Sequence, residues 1–248
     1  MIRITSLPDP TALMAVEIPV GSAQLRGRLM LGQDARGLII VANGDGDHLY
    51  DETNTYVARR LCAAGFATLV VDLLTPNEAI EDAETSALRF HQGLLASRLV
   101  KVTQWAQAGV VFSGLEIGLF ASGLCAGAAL ATASVSSAVR AVVCRGARVD
   151  VVVPQLHRVR AEVLLLVGER DTAHLSASRG AYWLLPESAQ LEVLPNAGHL
   201  LDEPETLEEV ARKAERWFAR TLEAHVRMLP ARSGQRGSAR EAHRTAPA

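Results

Sequence analysis

The sequence predicts an α/β fold, a mostly parallel central sheet of about eight strands with helices on both faces. Three observations predict it. Short, predominantly apolar runs recur at residues 37–42 (GLIIVA), 66–71 (FATLVV), 117–122 (IGLFAS) and 163–167 (VLLLV), as expected of strands buried on both faces. Between them lie stretches whose apolar residues recur at helical spacing, and strand, helix, strand in succession is the pattern of a right-handed parallel crossover. Finally, 248 residues with 49% hydrophobic and 21% charged side chains suffice for one large core but not for two.

In chain order, residues 15–20 and 24–31 alternate in polarity and predict an antiparallel pair turning through Gly21 and Ser22. The buried strand 37–42 runs into Asn43, Gly44, Asp45, Gly46 and Asp47. A helix over 53–64, stopped by Gly65, precedes the strand 66–71. Residues 78–108 read as one long helical stretch divided at Gly93. Strand 117–122 then meets an alanine-rich helix over 126–137, and a short strand follows at 141–144. After strand 163–167 come a helix over 173–185 and a last strand over 190–194. The final helix has Asp202 and Glu205 as N-cap and N3, with Leu207, Val210, Ala214, Trp217, Phe218 and Leu222 on one face. From about residue 226 the chain turns basic and polar, so residues 1–225 are expected to form the domain and 226–248 a disordered tail.

A net charge of −2 provides no basic field for nucleic acid or an anionic membrane. The three cysteines, Cys62, Cys125 and Cys144, fit neither a disulfide framework nor a metal site. No basic stretch followed by an apolar segment marks a leader, and no run of about 18 apolar residues occurs. A soluble, cytoplasmic protein is expected. Neither metal nor organic cofactor is called for, and no glycine-rich phosphate motif is present.

The chemistry concentrates where strands end. Gly123, Leu124, Cys125, Ala126 and Gly127 spell G-x-C-x-G at a strand-to-helix turn, which predicts a thiol raised on a sharp, strained bend beside a helix N-terminus. The same pentapeptide could be only a tight corner holding a small buried residue. Asp171 follows a later strand and His199 the last one. The order nucleophile, acid, histidine is that of the alpha/beta-hydrolase triad. In that reading His199 takes the proton of Cys125, Asp171 fixes the imidazole tautomer, and the amides of Ala126 and Asp45 form an oxyanion hole. Arg145, at the end of the strand between them, is a candidate for holding a substrate carboxylate or, equally, a structural ion pair.

GLCAGAALA, VGERD and NAGHLLDEP resemble the nucleophile, acid and histidine segments of the dienelactone hydrolase family, over about residues 37–218. VDLLTP, LLASRLV and a segment with Arg145, Gly146 and Asp150 are similar to dienelactone hydrolase-like domains, some fused to phosphoribosyltransferases. The resemblance implies hydrolysis of an ester, lactone or thioester through an acyl-enzyme on Cys125. Where such relatives commonly carry His-Gly, this chain has Asn43 to Asp47, so a non-catalytic binding or regulatory module on the same fold is the alternative. The expected partner is a small ester or lactone; a homodimer is compatible with the sequence. Pocket shape is expected to depend on residues 75–95 and 145–156.

Overall fold

The structure is a computed structural model that describes residues 13–32, 34–44 and 52–228. Asp45, Asp47 and most of the basic tail lie outside the described residues. Among the described residues eight strands form one sheet: β1 (Met14–Val20), β2 (Ala23–Met30), β3 (Leu38–Asn43), β4 (Ala67–Asp72), β5 (Ile117–Ser122), β6 (Val139–Arg145), β7 (Glu162–Gly168) and β8 (Gln190–Leu194). Their spatial order is β1-β2-β4-β3-β5-β6-β7-β8. Only the β1–β2 and β2–β4 pairs are antiparallel; from β4 through β8 every pair is parallel. The C-terminal ends of β3 and β5 to β8 therefore open on one edge, where ligands bind in sheets of this kind.

Among the described residues six α-helices flank the sheet: α1 (Glu52–Ala63), α2 (Pro76–Thr85), α3 (Gln92–Ala108), α4 (Gly123–Val135), α5 (Thr172–Tyr182) and α6 (Pro204–Met228). The continuous apolar strands divide their side chains between two cores. Leu38, Ile40 and Ala42 of β3 face Leu95, Leu99 and Val102 of α3 and Leu130 of α4. Ile39 and Val41 face the other way, with Val57 and Leu61 of α1 and Val210, Trp217 and Phe218 of α6. Each such Leu, Ile, Val or Phe buried contributes about 1.5–3 kcal/mol, so this two-sided burial is what holds the strand ends in place. No helix among the described residues is long and apolar enough to cross a membrane.

Several boundaries shift by one to three residues from expectation, α5 ending at Tyr182 rather than 185 among them, and three differences bear on how the site is built. The 78–108 stretch breaks at Ser86 to His91, before Gly93, which lies inside α3. Buried Asp82 causes the break: its Oδ1 accepts from the amides of Leu88 and Arg89 at 2.8 and 2.9 Å, and its Oδ2 takes Arg89 Nε at 2.6 Å. Ser86 caps α2 in the left-handed region, with φ 56°. Second, α4 begins at Gly123 rather than Ala126. Third, α6 starts at Pro204, with Leu207 N donating to Glu203 O at 2.8 Å, which leaves Asp202 outside the helix.

Candidate active site

The strand β5 delivers Cys125 to the sheet edge. Ser122 is extended (φ −123°, ψ 157°), and Gly123 turns the chain with φ 53°, a conformation that a Cβ disfavours. Cys125 itself has no positive φ, so the strain expected at the thiol falls on the glycine two residues earlier. Because α4 starts at Gly123, Cys125 lies in its first turn, where backbone N–H groups have no partner within the helix and the dipole favours negative charge. The residue is 2% exposed.

The end of β3 comes down beside it. A Cβ built on Gly44 would run into Cys125 Sγ, so this position has room for glycine only. Asn43, the last residue of β3, is held from α1 by Asn54 Nδ2, which donates to its Oδ1 at 2.5 Å. Asp45, expected as an oxyanion donor, is the next residue and lies outside the described residues.

At the far side of the cavity, β7 ends in Gly168 and the chain turns through Glu169 and Arg170 into Asp171, the N-cap of α5. The loop after β8 is tied to this turn: Glu169 N donates to Leu194 O at 2.9 Å, Arg170 N to Ala197 O at 3.0 Å, and Asn196 N to Glu169 Oε2 at 2.9 Å. Glu203 holds the same loop from below, accepting from Gly198 N at 3.2 Å. Those bonds bring His199 Nδ1 to 2.7 Å from Asp171 Oδ2. Burial by itself would raise the Asp171 carboxyl, but hydrogen bonds from His174 and His199 outweigh it and hold the group below the usual carboxylate range. Asp171 therefore stands ionised beside the imidazole.

Cys125 and His199 line one cavity of about 510 Å³, together with Arg145, Arg148, His174 and Leu200. The two segments expected to shape it both do so, Arg89 and Phe90 from the α2–α3 bend and Arg145 to Arg148 from the end of β6. Arg145 is 6% exposed, and its Nη2 donates to Thr53 Oγ1 of α1 at 3.2 Å. Arg148 is bound to Asp150 by two bonds, 3.0 and 2.9 Å long, which lower the Asp150 carboxyl. A larger cavity, about 900 Å³, lies at the opposite edge of the sheet, near Val139, Glu162 and Gln190 at the starts of β6, β7 and β8. A ligand there could not reach Cys125.

Sequence reading missed His174. It sits three residues after Asp171, a helix-surface spacing, and only the fold shows that its ring turns back to Asp171 Oδ1 at 2.8 Å. Asp171, His174 and His199 offer ligand atoms within 4.8 Å of one another, near enough to surround an ion. In this structure the Nδ1 atoms of both rings are bonded to the Asp171 carboxylate, so the group reads as a proton network.

The match to the dienelactone hydrolase family model runs over residues 25–228. A dienelactone hydrolase from Anabaena variabilis is 39% identical, with a TM-score of 0.83, covering 86% of this chain and 99% of that one. Two Mycobacterium tuberculosis proteins that carry a provisional phosphoribosyl transferase name are 42% identical over 204 residues, 82% of this chain. That match spans 45% of their length, so the chain corresponds to about half of those relatives. The esterase domain of a Rhodothermus marinus protein shares the fold at 16% identity, with a TM-score of 0.67 and coverage of 86% and 100%. By sequence and by structure, the chain belongs to the dienelactone hydrolase family of the alpha/beta-hydrolase superfamily.

Proposed function

We propose that this protein hydrolyses a small ester, lactone or thioester through a covalent intermediate on Cys125. The observation that carries the reading is the short Asp171–His199 bond at the wall of a cavity that also holds a thiol in the first turn of a helix. With its Nδ1–H given to Asp171, His199 keeps Nε2 as a proton acceptor for the thiol. Sulfur then attacks the carbonyl carbon, and the N–H of Ala126 with that of Asp45 stabilises the oxyanion. As the tetrahedral adduct collapses, the leaving oxygen or sulfur takes the proton from His199. Water, deprotonated by the same imidazole, cleaves the acyl–sulfur bond and releases the acid. Arg145, at the cavity wall, would hold a carboxylate on the substrate.

A second reading, a binding protein on the same fold, draws on the 2% exposure of Cys125 and its close packing on Gly44. One experiment separates the two. Purified protein and its Cys125→Ala variant are assayed against short acyl esters, lactones and thioesters, with intact-mass detection of an acyl adduct. Hydrolysis requires turnover and an adduct in the wild type, with a loss of about a thousandfold or more in the variant. Equal rates in both proteins, or none in either, would leave the binding reading.

A further inference from the structure

His174 makes more contacts with the Asp171–His199 pair than any reading of the site above uses. Its backbone N–H lies 3.3 Å and its Nδ1 2.8 Å from Asp171 Oδ1, while Oδ2 takes His199 Nδ1 at 2.7 Å. The two imidazoles are stacked, with centroids 4.2 Å apart and planes at 23°. Each carboxylate oxygen is thus held by one ring, and one ring covers the other. The His174 side chain is 21% exposed against 42% for His199, and both line the cavity.

Two consequences follow from elementary chemistry. A carboxylate bonded through one oxygen can swing about its last side-chain torsion; bonded through both, it cannot turn without losing a bond. Secondly, His199 must become a cation when it takes a proton, and a cation already stacked on its face would oppose that. We propose that His174 is a positioning residue: it fixes the Asp171 carboxylate so that Oδ2 faces His199, and its own protonation works against protonation of His199. This rests on the reading of Asp171 and His199 as the acid–base pair and adds a regulator to that site.

Among the described residues, the charged or titratable groups facing the stack are few. Asp171 comes from the start of α5. Arg145 comes from the end of β6, Arg148 and Asp150 from the segment after it, Arg89 from the α2–α3 bend, Cys125 from α4 and Asp202 from the loop after His199. Arg89 is paired with Asp82, and Arg148 with Asp150. Asp171 is the group hydrogen-bonded to both rings.

The test titrates the His199 ring by NMR in the full chain and in two variants. His174→Phe keeps a stacked ring without donor or charge; His174→Gln keeps a donor without charge. In both variants the His199 midpoint is expected to rise by half a pH unit or more, about threefold in proton affinity. Where turnover is measurable, the acid limb of kcat/KM should move to higher pH in both variants, in step with the His199 midpoint. The plateau rate, reduced in His174→Phe, should recover in His174→Gln. An unchanged His199 midpoint in folded variants overturns the inference, even if Cys125 proves to be the nucleophile. A shifted midpoint without ester turnover leaves the coupling in place and removes the hydrolase reading instead.

Discussion

Cys125 follows the end of β5 and Cys144 lies in the neighbouring β6, and both are buried, at 2% and 0% exposure. Cys144 lies within β6, paired with Ala121 of β5, and its sulfur is enclosed in the core, where desolvation acts on it. Burial pushes its thiol up to about 12, so it stays protonated throughout the physiological range. Cys125 stands a few residues beyond the end of β5, in the first turn of α4 and on a cavity wall shared with His199. Two thiols of nearly equal depth thus stand in different settings. Where a strand ends, helix amides and solvent-reaching space become available; one strand over and a few ångströms back, they are not.

The largest expected difference between the two is in alkylation. Treated with iodoacetamide in the native state at pH 8, Cys125 should be carbamidomethylated and Cys144 left unmodified until the protein is unfolded, as read by peptide mass spectrometry. Equal labelling of the two in native protein would break the contrast. An intermediate effect is expected from Gly44→Ala, whose added Cβ must displace the Cys125 sulfur. We expect turnover to fall by about a hundredfold with about 1–3 kcal/mol of destabilisation, measured by kinetics and urea unfolding. A loss of stability without a loss of rate would mean that the sulfur position is not set by Gly44. The smallest effect belongs to Cys144. Its folded-state value lies above its ordinary one near 9, so the unfolded chain gives up this proton first as pH rises. Stability from the protonated thiol is complete below about pH 9 and declines toward pH 12, by about 1–2 kcal/mol at pH 10.5. Cys144→Ala should flatten this part of the stability curve in alkaline urea titrations while leaving kcat/KM within about threefold of wild type.

Much of the fold was legible because burial on both faces leaves a plain signature. The span of β5 matched its apolar run, and β8 appeared where the sequence placed it. What escaped were features set by side chains reaching across the chain. Gly93 looked like the break in the long helical stretch, but Asp82 makes the break by binding amides six and seven residues on. Similarly, Asp202 resembled an N-cap by composition, while Pro204 with its fixed φ sets the start of α6. The nearness of Asp171 to His199 was implied by the order of strand ends, and the distance between them needed the paired loops after β7 and β8. His174 was hidden by its spacing, which is that of an ordinary helix surface. Gly44 was one member of the run after the buried strand, and its reason to be glycine needed the thiol beside it.

Asp171 has one more consequence, for how such a chain changes over generations. Its carboxylate is also the N-cap of α5, and caps of this kind are worth about 0.5–2 kcal/mol. Were the chemistry abandoned, mutations here would still be resisted, because losing the acid would loosen the helix. The thiol has no such insurance: alanine would fill its place in α4 with little disturbance. Among descendants of this chain, a retained aspartate would therefore testify to folding, and a retained cysteine to use.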